Sequence, residues 1–217
     1  MEPKVLLWTD FVCPFCYVAD HEYKVASDEL KIEVPLEIYS YELNPDLETD
    51  KDMTYAEYLK QAYDLSDEEV EKSIGESKDF AASVGVEINY DKLPICNTHD
   101  AHRLKEYARL EDKSHEFYLH VQRAYFIDNQ DISDHEVLKT LAKEVGLDTD
   151  RVNEVLESDR YSATVKDQHA AGVTKAINYV PHFVFPTGRV LEGELKKDDI
   201  KPILDHEFSY YGTVSTE

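Results

Sequence analysis

The chain has 217 residues, enough for one large domain or a domain carrying a sizeable insertion. Its 23 Lys and Arg against 46 Asp and Glu leave a formal charge of −23, a field that repels the phosphate backbone of nucleic acids and anionic lipid surfaces. With 42% hydrophobic and 11% aromatic residues a disordered chain is excluded, and apolar runs such as Val5–Trp8 and His182–Phe185 are strand-length, too short to span a bilayer.

Lys4–Thr9 is apolar and ends at Asp10, as a buried strand running into a turn does. Cys13-Pro14 opens a helical pattern to about Leu30, with Pro14 in the first turn, where its missing N–H would have had no partner. Ile32–Leu43 alternates as a second strand and stops at the Asn44-Pro45 turn signal. Capping-box spacing at Thr54-Tyr55-Ala56-Glu57 and Ser66-Asp67-Glu68-Glu69 then starts helices to about Tyr63 and Val84. Asn97-Thr98-His99-Asp100 caps a helix to Leu110, and further helices are expected at Ser114–Ile127, Ser133–Val145, Thr149–Leu156 and Asp159–Lys175. Pro181–Phe185 and Val190–Glu192 flank a Pro- and Gly-containing hairpin connection. A last helix is expected over Lys197–Tyr210, with a frayed tail over Gly212–Glu217. The pattern is a small α/β unit split by a large all-helical insertion, with residues 1–50 and 158–217 forming the α/β part and 51–157 the insertion.

The opening Met1-Glu2-Pro3-Lys4 lacks the basic, long apolar and small-residue regions of a secretory signal, and three cysteines are too few for a disulfide scaffold. A cytoplasmic setting is therefore expected. The acids are spread along the chain, which reads as a solvated surface; an acidic face for a basic partner is the competing reading.

Cys13-Pro14-Phe15-Cys16 falls between an expected strand and an expected helix. A thiol at a helix N-terminus faces unpaired N–H groups and the positive end of the dipole, which favour the thiolate. Cys13 is thus the candidate nucleophile, and Cys16, one turn further in, the candidate resolving thiol. Two other readings compete: a zinc half-site completed by His99 and His102, and two ordinary core cysteines. Structural zinc sites carry turn-rich knuckles that a strand–CxxC–helix does not supply, so no metal is expected.

The segments Asp10–Tyr17, Asn97–Leu104 (Asn-Thr-His-Asp-Ala-His-Arg-Leu) and Val180-Pro181-His182-Phe183-Val184-Phe185 together resemble the DsbA-like branch of the thioredoxin superfamily, and within it the FrnE-like oxidoreductases. The resemblance spans the chain and implies a thioredoxin fold with a helical lid and a cis Val180–Pro181 bond facing the cysteines. It also implies that Val180, Pro181, Pro14, Phe15, Asn97 and Thr98 contact substrate. Strongly oxidising members of the superfamily commonly carry His where this chain has Phe15, so a less oxidising pair is expected.

Three further residues are candidate auxiliaries. Asp10 either accepts a proton during exchange or bonds local backbone N–H groups in the turn. Cys96 either reaches the redox pair or is simply packed. His182 either supplies a positive neighbour or points to solvent. The aromatic residues Tyr107, Phe117, Tyr118, Tyr125 and Phe126 read as the insertion's own core.

The function implied is a thiol–disulfide oxidoreductase acting on dithiol or disulfide substrates, polypeptides foremost. It needs no cofactor beyond its own redox-active disulfide, with glutathione as a candidate co-substrate. The alternatives are a glutathione-dependent enzyme of the kappa-transferase or 2-hydroxychromene-2-carboxylate isomerase type, whose members typically carry Ser at the first cysteine position, and a non-enzymatic module that holds unfolded chains.

Overall fold

A computed structural model describes residues 3–49 and 53–208. Val5–Thr9 forms β1, whose Val5, Leu7 and Trp8 are buried, and the chain then turns into α1, Pro14–Leu30. Parallel to β1 runs β2, Leu36–Ser40, so these three elements make a βαβ unit. Extended pairing is shorter than the alternation of Ile32–Leu43 suggested. It starts after Pro35, whose carbonyl accepts the Val5 amide at 2.9 Å but which has no N–H of its own to donate.

The helical run follows as α2 (Tyr55–Tyr63), α3 (Asp67–Ser83), α4 (His99–Leu110), α5 (Ser114–Phe126), α6 (His135–Glu144), α7 (Thr149–Leu156) and α8 (Ser162–Thr174). Both expected capping boxes form, Thr54 with Glu57 and Ser66 with Glu69. Two starts move inward: α6 is capped by Asp134, and α8 begins after Tyr161, which takes a left-handed φ of 64°. On α4, Thr98 makes no side-chain cap; Asn97 Oδ1 instead accepts the His99 amide at 2.8 Å. The chain returns as β3 (His182–Val184), β4 (Val190–Glu192) and α9 (Lys197–Phe208). The expected end of the last helix at Tyr210 and the tail at Gly212–Glu217 lie outside the described residues.

The four strands order as β2-β1-β3-β4, with β3 antiparallel to both β1 and β4. Leu7 pairs with Ile38 on one side and Phe183 on the other. One core packs α1 and α9 on the sheet through Val5, Leu7, Tyr23, Phe183, Ile200 and Leu204. A larger core buries Tyr107, Phe117, Tyr118, Tyr125 and Phe126, but it is not the insertion's alone: Phe11, Val18 and Ile38 of the α/β part belong to it, Tyr118 packs on Phe11 and Phe126 stacks on Tyr17. On the other sheet face, α8 approaches so closely at Gly172 that a Cβ there would lie 2.8 Å from the Tyr41 ring and 3.1 Å from Trp8. Among the described residues no helix is long and apolar enough to cross a membrane.

Polar contacts buried between elements tie insertion to sheet. Lys105 on α4 is fully buried and donates to Ile38 O at 2.8 Å and Ser40 Oγ at 3.1 Å, while pairing with buried Glu106 at 2.9 Å. A second buried contact joins the insertion to the first helix, His115 of α5 pairing with buried Asp20 of α1 at 2.9 Å.

The Asp20 charge raises His115 above its ordinary 6.5, against the opposing effect of burial. A raised histidine stabilises the fold fully below about pH 6.5 and loses that contribution as pH climbs through the raised value. His115→Gln is therefore expected to destabilise the protein more at pH 5.5 than at pH 9 in urea unfolding. Equal losses at the two pH values would mean the pairing carries no charge.

Candidate redox site

Thr9 ends β1 and Asp10 to Val12 turn the chain, so that Cys13, with extended φ and ψ, becomes the N-cap of α1 and Pro14 occupies its first turn. The local chemistry favours this arrangement. Cys13 Sγ accepts the Cys16 amide at 3.3 Å, occupying one of the donors that a helix start leaves unpaired, and Pro14 has none to satisfy.

Both thiols are free and almost wholly buried, but they are not equivalent. Cys13 lines an open cleft, and its S–H donates to Val180 O at 3.5 Å. Cys16 lies behind it with no exposed surface. Burial pushes the Cys16 thiol well above its ordinary range, and its bond to Cys13 and the Cys13 charge push the same way, against the Thr9 hydroxyl and the Asp10 backbone. The arrangement presents one sulfur to the cleft and keeps the second protonated behind it. Opposite, Val180–Pro181 is a cis peptide bond. Trp8, the chain's single tryptophan, packs in the same cluster as both cysteines and stacks on Tyr39.

The cleft encloses about 510 Å³. Its lining includes Cys13, Pro14, Phe15 and Val180, the side chains of Leu43 and Leu47, and several tyrosines. Those tyrosines, Tyr55, Tyr58 and Tyr63 of α2 with Tyr125 and Tyr179, were not singled out from the sequence, apart from Tyr125 as a core residue. Their helical spacing on α2 marks an apolar face without saying what it faces. Burial pushes the Tyr63 phenol up to about 12, so it is a neutral donor at ordinary pH. Leu43, Tyr63 and Tyr179 are 40%, 52% and 66% exposed, an apolar rim around the cleft mouth.

Cys96 is buried yet lines the same cleft, and burial raises its thiol far above the usual range. Asn97 and Thr98 stand outside that lining. Thr98 is buried at the start of α4, and the Asn97 amide is engaged by the carbonyls of Pro45 (3.3 Å) and Leu47 (3.1 Å), so that it braces the loop behind the Leu47 wall. His182 does not point to solvent: its Nδ1 bonds Glu192 across the hairpin at 2.9 Å and its ring meets Trp8 edge-on. Asp10 bonds the local Phe11 amide, as in the turn reading, and in addition the Leu43 amide and His102. His99 and His102 go to separate partners, His99 to Glu42 and Ser162, and among the described residues no cluster of three or more His, Cys, Asp or Glu is placed to hold a metal ion.

A CxxC turn between the first strand and first helix, set against a cis-proline loop in a mixed four-stranded sheet, defines a thioredoxin-type dithiol protein. The family model of the DSBA-like thioredoxin domain matches residues 4–204, and the chain belongs to that family. It is 27% identical over 209 residues to the uncharacterized protein YwbO of Bacillus subtilis, covering 95% of this chain and 98% of that one. In structure it resembles a probable DsbA oxidoreductase, SCO1869, from Streptomyces coelicolor, with a TM-score of 0.84 at 23% identity over 100% and 94% of the two chains. It also resembles the cytosolic disulfide reductase DsbM from Pseudomonas aeruginosa, with a TM-score of 0.66 at 15% identity over 95% and 99%.

Proposed function

We propose that this chain is a cytoplasmic thiol–disulfide oxidoreductase of the FrnE-like branch that exchanges disulfides with polypeptide substrates through Cys13 and Cys16. The observation that carries the reading is the placement of Cys13 Sγ at the helix N-cap, open to the cleft, with Cys16 immediately behind it. The Cys13 thiolate attacks one sulfur of a substrate disulfide, forming a mixed disulfide and releasing the other sulfur as a thiolate that takes a proton from water. Cys16 then gives up its proton and attacks Cys13 Sγ. The mixed disulfide breaks, the second substrate sulfur leaves as a thiolate that takes up the proton Cys16 released, and the two electrons the substrate has gained come from Cys13 and Cys16, now joined as a disulfide. Run backwards, the same steps oxidise a substrate dithiol.

Polypeptide substrates suit the walls. Among the described residues that line the cleft none carries a formal charge besides the titratable thiols and phenols, and the rim is apolar. An extended segment with apolar side chains beside its cysteine fits such a surface, whereas glutathione brings two carboxylates that find no cation there. The Pseudomonas reductase also has a structure with glutathione, so glutathione is the comparison substrate of choice.

The test equilibrates the protein in glutathione buffers of graded ratio, traps thiols by alkylation and reads the Cys13 peptide by mass spectrometry. A reversible Cys13–Cys16 disulfide with a defined midpoint is expected, accompanied by a change in Trp8 fluorescence. Absence of that disulfide at every ratio would refute the reading.

A further inference from the structure

His102, in the Asn97–Leu104 segment, hydrogen-bonds the redox turn at Asp10, 92 positions away along the chain. Its ring is fully buried, packed on Phe11 with centroids 4.8 Å apart, and Nε2 hydrogen-bonds Asp10 Oδ1 at 3.1 Å. Among the described residues Nδ1 has no hydrogen-bond partner. An apolar residue would fill the same space without burying an unpaired nitrogen, so the imidazole is explained by its one polar contact.

That contact leads to the thiols. Asp10 is buried, its Oδ1 accepts the Phe11 amide at 2.8 Å, and its Oδ2 accepts the Leu43 amide at 2.7 Å. The Asp10 carbonyl in turn accepts the Cys13 amide at 3.4 Å. Phe11 belongs to the turn that delivers Cys13, and Leu43 is a wall of the cleft. The carboxylate torsion of an aspartate is soft, and a third donor from a different element locks it.

We propose that His102 is a positioning residue of the redox site. By donating to Asp10 it holds the carboxylate that ties the Phe11 and Leu43 amides together, and so sets Cys13 against the wall a substrate must pass. The proposal rests on the reading of Cys13 as the nucleophile; His102 itself meets no reacting atom and acts through Asp10.

The experiment compares wild type with His102→Leu, His102→Gln and Asp10→Asn, each checked for folding by thermal melt, in steady-state exchange with a disulfide-bonded peptide. His102→Leu is expected to raise KM about tenfold, the loss of one charge-assisted hydrogen bond, with kcat changed less than about threefold. His102→Gln keeps a donor and is expected to recover most of that loss. Asp10→Asn, which turns one acceptor oxygen into a donor, is expected to match the Leu variant. A folded His102→Leu with unchanged KM, or a Gln variant no better than Leu, overturns the proposal. If the Leu variant does not fold, an unchanged KM in Asp10→Asn overturns it instead. Failure of the wild type to form a Cys13–Cys16 disulfide is a different result: it removes the redox function on which the proposal stands.

Discussion

Cys13→Ser is expected to abolish disulfide exchange, by at least about a thousandfold, because serine's hydroxyl cannot serve as the thiolate nucleophile at neutral pH. Cys16→Ser is expected to behave differently. With Cys13 still able to attack and nothing behind it to resolve, the protein should accumulate as a mixed disulfide with its substrate, seen as a mass increase that a reductant reverses. The asymmetry follows from placement: Cys13 lines the cleft, whereas Cys16 is sealed behind it with its thiol held protonated by burial. Exchange that survives Cys13→Ser would shift the chemistry to Cys96, the other thiol lining the cleft. Activity surviving in both single variants would favour a glutathione-dependent transferase or isomerase of the same fold.

The second large effect concerns stability. Lys105→Met removes the donor to Ile38 O and Ser40 Oγ and leaves buried Glu106 with Arg109 at 3.0 Å and Gln168 at 3.0 Å as partners. Burial lowers the Lys105 ammonium from its ordinary value, with the Glu106 charge opposing, so the pair is held by geometry that a single substitution breaks. Because Glu106 keeps those partners, the loss is that of the buried acceptors Ile38 O and Ser40 Oγ left without their donor, about 1–3 kcal/mol, which for a chain of this size corresponds to a melting-temperature drop on the order of 5 °C. A melting temperature within about 2 °C of wild type for the single variant would mean that water reaches the site.

The elements whose determinants lie close together in the chain were readable before any coordinates. The Cys13–Cys16 turn, the capping boxes at Thr54 and Ser66 and the glycine-containing hairpin between β3 and β4 each depend on hydrogen bonds, side-chain or backbone, within a few residues. The order of strands and helices followed from apolar periodicity, and the resemblance carried by the Asp10, Asn97 and Val180 segments supplied the DsbA-like arrangement that periodicity alone does not distinguish.

Other features required the tertiary structure. Nothing near Asn97 indicates that its amide is spent on the carbonyls of Pro45 and Leu47, some 50 positions away, instead of lining the cleft. His182 could not be assigned from its neighbours, because its partner Glu192 is brought opposite only by the β3–β4 register. The tyrosines of α2 look like any apolar helical face until that helix is placed over Cys13. Lys105 drew no reading from the sequence and His102 only one as a candidate zinc ligand, yet both are fully buried on α4. The physical reason is common to all of these. Local hydrogen bonding and side-chain periodicity are set by residues a few positions apart and are therefore written in the sequence, whereas the partner of a buried polar group is chosen by which elements pack together. In this protein, α4 packed against the sheet makes that choice for Asp10, His102 and Lys105 alike.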